Sequence, residues 1–241
     1  MNYISNNHLK ELVKLKQKKF REKYVIVEGH RLIDQLIRNN VEIEEIFITE
    51  SSNFILDSFP QNKIFLIKDW QLQKITSTKN PQEIAALVKT ETRKISDRKF
   101  LLYLDDIKEP GNLGAIIRTA TSAGICGIIL SPECCEIFNP KVIRASLGTV
   151  FSFPIEIHDY NWLKEQNAKI IVATLEEAEN LYNFKLPSGD IILVIGSEAF
   201  GVSREILEIA DYKIEIPLNN NVESLNAAVA AGIILYYLKN Q

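Results

Sequence analysis

Three short loops of this 241-residue chain combine residue types that could hold a ligand and act on it. The first runs from Asp105 to Arg118 and contains Pro110, Gly111, Asn112 and Gly114. Pro110 and Gly111 make a turn, and Asn112 suits a helix N-cap. Gly114, read as lying in the first helical turn, costs up to about 1 kcal/mol relative to Ala. That cost makes sense where something must approach the backbone closely. Arg118 lies one turn beyond Gly114, and helical side chains lean toward the N-terminus. Its guanidinium can therefore reach back over the loop. An ordinary capped helix with a surface arginine explains the same residues. The second loop is Gly196-Ser197-Glu198-Ala199-Phe200-Gly201-Val202-Ser203, in which two glycines bracket an acid. Glycine permits close backbone approach, so peptide groups could line a pocket; taken alone, the loop is also a common strand-to-helix turn with Ser203 as cap. The third reads Pro217-Leu218-Asn219-Asn220-Asn221-Val222-Glu223-Ser224-Leu225-Asn226. Ser224 reads as the cap of the helix that follows, and no structural role is evident for Asn226, whose amide would point into whatever the loop encloses.

Repeating elements must position these loops. Strands are expected at 100–104, 127–130, 155–157, 169–173, 191–195 and 213–216. Helices are expected at 112–123, 140–147, 161–166, 203–208 and 224–239. Apolar strands alternating with helices imply a parallel sheet covered on both faces, and such sheets bind ligands at the carboxyl ends of their strands. Before this lies a smaller α/β unit. It has a helical pattern over 6–20, strands at 24–28, 45–49, 63–67 and 83–89, and helices at 31–39 and 70–75, the latter capped by Asp69. Residues 90–99 are polar, lack aliphatic periodicity and read as the linker. The expected domains are 1–92 and 98–241.

Composition narrows the function classes. The hydrophobic share is 46% and the charged share 24%, as in ordinary globular proteins. The start of the chain has no apolar run followed by a cleavage site, and the longest apolar stretch, 225–238, is too short to span a bilayer. A cytoplasmic location without membrane contact is therefore expected. Cys126, Cys134 and Cys135 form neither a disulfide framework nor a metal-ligand spacing, and His8, His30 and His158 lie far apart; no metal is expected. A net charge of −3 is mildly adverse to a nucleic-acid partner. Yet Lys10, Lys14, Lys16, Lys18, Lys19, Arg21 and Lys23 crowd one segment against only Glu11 and Glu22, and such a segment can anchor a phosphate backbone locally.

Together the three loops resemble the three motifs of the SpoU (TrmH-type) branch of the SPOUT RNA methyltransferases. Asn112, Gly114 and Arg118 are similar to its Asn-x-Gly-x-x-x-Arg motif. Gly196, Ser197, Glu198 and Gly201 match Gly-Ser-Glu-x-x-Gly. Ile216, Pro217, Ser224, Leu225 and Asn226 match Ile-Pro…Ser-Leu-Asn. Asn139-Pro140-Lys141…Arg144-Ala145-Ser146-Leu147-Gly148 is similar to a further family stretch. The first segment, through Val27-Glu28-Gly29-His30-Arg31 and Pro81-Gln82-Glu83-Ile84-Ala85, resembles the family's ribosomal-protein-like substrate-recognition domain. Glu83 stands where that domain usually has Gly, and Cys134-Cys135 has no counterpart in the family pattern.

The resemblance implies a C-terminal domain with a trefoil knot and a parallel sheet, and S-adenosylmethionine as cofactor. It implies an RNA substrate, ribosomal rather than transfer, methylated on a ribose 2′-hydroxyl by a homodimer. On that model Gly196, Ser197, Gly201, Ile216, Leu218, Ser224 and Leu225 hold the cofactor. Arg118 stabilises the developing alkoxide, Asn112 orients the ribose, Ser224 and Asn226 complete the pocket, and Glu198 accepts backbone N–H groups. Lys18, Lys19, Arg21, Arg31, Lys141 and Arg144 would meet RNA. Methylation of tRNA, on ribose or base, and a non-catalytic RNA-binding protein are the competing readings.

Overall fold

A computed structural model describes residues 2–54, 59–219 and 221–241. The chain divides into two compact units, 1–91 with 138–152, and 92–137 with 153–241.

In the first unit β1 (Asn2–Tyr3) leads into α1 (Asn6–Lys14), which Ser5 caps by accepting the His8 N–H at 3.1 Å. The helix expected over 6–20 stops at Lys14, and a separate 3₁₀ turn forms at Lys18–Phe20. The apolar stripe that would hold a longer helix to the core ends at Leu15. Next come β2 (Tyr24–Glu28), α2 (His30–Arg38), β3 (Ile43–Ile48), β4 (Ile64–Leu66), α3 (Asp69–Ile75) and β5 (Ile84–Lys89). Asp69 is not the cap of α3 but its first residue; Lys68 precedes it and donates its backbone N–H to the Gln71 side chain at 3.0 Å. The sheet order is β1-β4-β3-β5-β2, with β5 antiparallel to both its neighbours. Leu9 and Leu12 of α1 and Leu72 and Ile75 of α3 pack on Phe47 and Ala85 to form the core.

The second unit begins where a free linker was expected. Residues 92–98 run beside a sheet edge: Arg93 pairs with Pro154, and the Ile95 N–H donates to Glu156 Oε1 at 3.0 Å. Ile95 itself is buried against Gly127. After β6 (Phe100–Leu104) come α4 (Pro110–Ala123), β7 (Gly127–Leu130), α5 (Pro140–Ala145), β8 (Ile155–Ile157), α6 (Tyr160–Lys164) and β9 (Lys169–Ala173). The chain closes with β10 (Glu179–Asn180), β11 (Ile191–Ile195), α7 (Arg204–Leu207), β12 (Tyr212–Glu215) and α8 (Ala227–Lys239). All pairings in the order β10-β12-β9-β11-β6-β7-β8 are parallel. Every residue of β6, β7 and β11 is buried, which is why they read as unbroken apolar runs.

Between β7 and β8 the structure departs from an uninterrupted domain over 98–241, because residues 138–152 pack with the first unit. Gly148, at φ 76°, lies so close to Leu32 and Leu36 that a Cβ there would stand 2.8 Å from each side chain. Phe138 stacks on Phe151 at 5.3 Å within the same segment. Chain order places α5 with the strands around it, but non-local packing decides otherwise.

Candidate active site

Because the second sheet is parallel throughout, the segments after β6, β9, β11 and β12 all leave from one edge. The strands β12, β9 and β11 are adjacent there, and their ends enclose a cavity of about 390 Å³. Gly196, Ser197 and Gly201 line it from the β11 loop, Ile216 and Leu218 from the β12 loop, and Ser224 and Leu225 from the approach to α8. Asn220 lies outside the described residues.

The β11 loop folds back on itself. Ser197 and Gly201 exchange two backbone hydrogen bonds, of 3.1 and 2.9 Å. This closure presses Gly196 against the returning chain: a Cβ on it would stand 2.1 Å from the Gly201 carbonyl oxygen. Gly201 takes φ 69°, in the left-handed region. Asp105, just past β6, is buried and anchors the end of the loop by accepting the Ser203 N–H at 2.8 Å. Ser203 starts α7 without a side-chain capping bond.

The polar residues expected to act together form one relay, with roles different from those the sequence suggests. Asn226, not Ser224, caps α8; its Oδ1 accepts the N–H groups of Ala228 and Val229 at 3.0 and 3.3 Å. That leaves the Asn226 amide to donate to Asn112 Oδ1 at 3.0 Å, and Asn112 Nδ2 donates in turn to Glu198 Oε1. An ionised carboxylate can only accept, and a helix N-terminus offers only donors. The two amides thus have one consistent orientation from α8 to Glu198. Glu198 receives a side-chain amide here rather than the expected backbone N–H groups. Asn112 is free for this role because it does not cap α4: Glu109 does, accepting the Gly111 N–H at 3.2 Å, with Pro110 as first helical residue. Gly114 consequently falls in the second turn and is buried.

Arg118 is exposed on α4 and is not among the residues lining the cavity. Its guanidinium makes no hydrogen bond or ion pair with the described residues. The relay and the cavity wall therefore come together within one chain, whereas Arg118 does not join them.

Sequence reasoning missed the wall supplied by the end of β9 and the turn after it, where Ala173, Thr174 and Glu176 line the cavity. The adjacency of β9 to β11 and β12 was the needed signal, and it is a property of strand order. Glu176 is held by Arg204 at 2.7 Å, and this hydrogen bond and charge keep its carboxyl below the usual range. Glu176, Glu198 and Glu215 are the ionisable side chains among the described lining residues; none is cationic.

The residues expected to meet RNA all belong to the first unit. Lys18 and Lys19 are exposed in the 3₁₀ turn, Lys19 lying 4.9 Å over the Phe20 ring. Arg21 is buried and donates to the Lys16 carbonyl at 3.0 Å, so it ties the basic segment together rather than presenting charge. Arg31, Lys141 and Arg144 are exposed.

Cys134 and Cys135 are free, partly buried thiols. Cys134 Sγ accepts the Ile107 N–H at 3.3 Å and its thiol donates to the Leu104 carbonyl at 3.4 Å. Burial pushes Cys134 up, and pushes Cys135 up to about 11, which disfavours the nucleophilic thiolate.

Comparison with known proteins places this architecture. Residues 99–236 match the model of the SpoU rRNA Methylase family, and residues 6–86 match an MRM3-like substrate binding domain. This chain belongs to the SpoU rRNA methylase family. It is 30% identical over 240 residues to the 23S rRNA (guanosine(2553)-2′-O)-methyltransferase RlmP of Bacillus subtilis, covering 97% of this chain and 96% of that protein. It is 31% identical over 194 residues to the 23S rRNA (guanosine-2′-O-)-methyltransferase RlmB of Coxiella burnetii, covering 74% and 77% of the two chains. In fold it is similar to the SpoU methyltransferase AviRb of Streptomyces viridochromogenes, crystallised with the cofactor AdoMet. There the TM-score is 0.83 with 24% identity, covering 98% of each chain. Among the described residues no helix is long and apolar enough to cross a membrane.

Proposed function

We propose that this chain transfers a methyl group from S-adenosylmethionine to a ribose 2′-hydroxyl of ribosomal RNA. One observation carries the reading: the second and third loops line one cavity, and the first loop is tied to both by the oriented relay Asn226–Asn112–Glu198, whose Glu198 lines that cavity. The lining suits the cofactor. At about 390 Å³ the cavity is in the size range of small-molecule sites. Carboxylates without a lining cation favour a ligand that carries sulfonium and ammonium charges.

Gly196, Ser197, Gly201, Ile216, Leu218, Ser224 and Leu225 would hold the cofactor, which when bound supplies an electrophilic methyl group on sulfur. Gly196 lets peptide groups come close where a side chain could not, and Leu218 and Leu225 shield the pocket from water. Asn112, with its amide fixed from both sides, orients the ribose. Arg118 stays protonated and stabilises negative charge on the attacking oxygen.

A homodimer belongs to this reading. Val229, Ile233 and Tyr236 recur on one face of α8, with Val229 50% and Tyr236 48% exposed, and Phe200 beside the cavity is 86% exposed. A partner chain covering that face would bring Arg118 to a relay that it does not join within one chain. The knotted trace implied by the family resemblance and a cytoplasmic location are further parts of the proposal.

Two measurements test it. S-adenosylmethionine at about a hundred times its Kd should stabilise the protein by roughly 2.7 kcal/mol; no stabilisation at all leaves only an RNA-binding module. Mapping of 2′-O-methyl sites in ribosomal RNA from cells with and without the gene should reveal one missing mark. A missing base methylation, or a mark lost from tRNA, overturns the ribosomal ribose assignment.

A further inference from the structure

The first unit contains a pocket of about 290 Å³ whose walls are neither uniformly basic nor uniformly apolar. Leu32 and Leu147 give it an apolar side. Asn80 and Gln82 add amides, each carrying donors and an acceptor, which is what the edge of a nucleobase requires. Gln82 is fixed: its Oε1 accepts the His30 N–H at 2.8 Å, leaving its NH₂ group free to donate. Gly29, at φ 104°, makes this possible, since a Cβ there would stand 3.0 Å from that oxygen. The Asn80 amide makes no hydrogen bond with the described residues.

Two guanidinium groups line the pocket, and they differ in how far they are committed. Arg144 donates to Ser77 Oγ at 2.5 Å and lies 3.8 Å from Glu28. Glu28 is itself spent on the 76–80 loop, accepting from the Ser77 hydroxyl at 3.0 Å and from the Thr78 N–H and hydroxyl at 3.2 and 2.8 Å. This cluster is nearly neutral and acts as a brace. Arg31 is exposed and pairs with none of the described residues, so it is the cation left for a ligand.

We propose that this pocket takes one unstacked nucleotide of the RNA substrate, its base against Leu32 and Leu147 and its phosphate on Arg31. The inference rests on the RNA-methyltransferase reading and adds to it the form of RNA recognised. A base paired in a duplex is stacked on both faces and cannot enter, whereas a base in a loop or bulge can be splayed out. A bare phosphate would use Arg31 but leave the apolar side and the two amides idle.

The test uses the full chain and a single-stranded RNA octamer carrying one 2-aminopurine, alone and annealed to its complement. The single strand should bind with a rise in 2-aminopurine emission as the base leaves its stack, and the duplex should give no rise. Arg31→Ala should weaken single-strand binding about tenfold and flatten the dependence of log K on log salt by about 0.7, the share of one phosphate contact. Asn80→Phe, which fills the mouth from an exposed position, should weaken binding and abolish the emission rise without changing the salt slope. Retained stabilisation by S-adenosylmethionine verifies that each variant is folded. Wild-type binding and emission in both variants overturn the pocket, as does methylation of ribosomal RNA by a wild-type chain that never unstacks the octamer. A wild-type chain that neither binds nor methylates RNA overturns the functional reading itself.

Discussion

In the second unit every strand pairing is parallel, so each return of the chain comes back to the same edge, and the loops after β9, β11 and β12 meet there. In the first unit β5 runs antiparallel to β2 and β3, which divides the loops between two edges. The two concavities differ accordingly. At Gly196 the cavity of the second unit is bounded by backbone drawn tightly together, while the pocket of the first is lined by separate side chains such as Arg31, Asn80 and Gln82. Backbone walls tolerate almost no added atom, whereas side-chain walls respond to substitution in graded steps.

The sharpest way to break this contrast is at Gly196. Gly196→Ala puts a methyl group 2.1 Å from a carbonyl oxygen, and the β11 loop must open to admit it. Methyl transfer should fall more than a hundredfold, since displacing a binding loop by about 1 Å can alone cost that much. Isothermal titration should also show cofactor binding lost; binding at wild-type affinity would mean that the loop yields and that the contrast is mistaken.

Arg118→Lys comes next. If the planar guanidinium acts on the attacking oxygen, kcat should drop roughly a hundredfold with cofactor affinity unchanged. Single-turnover rates near wild type would remove Arg118 from the chemistry.

Asn226 and Ser224 separate the two jobs assigned to neighbouring residues. Asn226→Ala should cost about 1 kcal/mol of stability through the lost cap. Asn226→Asp keeps a good cap but places an acceptor against Asn112 Oδ1, so urea unfolding should remain near wild type while activity falls about tenfold. Ser224→Ala should leave stability within about 0.5 kcal/mol. Equal activities for Asn226→Asp and wild type would reduce the relay to packing.

The smallest effect concerns Cys135. Its folded-state titration is pushed up to about 11 by burial, above the ordinary thiol value of 9.0. A raised folded value contributes stability below the unfolded one and loses it as pH rises toward the folded one. Cys135→Ser should therefore remove a shallow decline in stability between about pH 9 and 11. A decline of unchanged slope in the variant would assign that titration to another group.

Much of the architecture could be read without coordinates. The strands at 100–104, 127–130, 155–157, 169–173 and 191–195 coincide with β6, β7, β8, β9 and β11, because buried parallel strands announce themselves as short, continuous apolar runs. Helix starts were less legible. Asn112, Ser224 and Asn226 are all competent caps, and local sequence offers no means to choose among them. Glu109 takes the cap of α4 because Pro110 fits the first helical position, and Asn226 takes that of α8, which leaves Ser224 in the cavity wall.

The sequence by itself determined most of the strands and the three motif-bearing loops, since periodicity and motif spacing are properties of neighbouring residues, and the resemblance of those motifs pointed to the family. Tertiary structure alone decided that β9 joins the cavity wall, that α5 packs with the first unit, and that Asn226, Asn112 and Glu198 form one oriented relay. The physical reason is the same in each case. These outcomes depend on which strands become neighbours and on which donor finds which acceptor across about ninety or more residues, and neither is encoded in any window short enough to read along the chain.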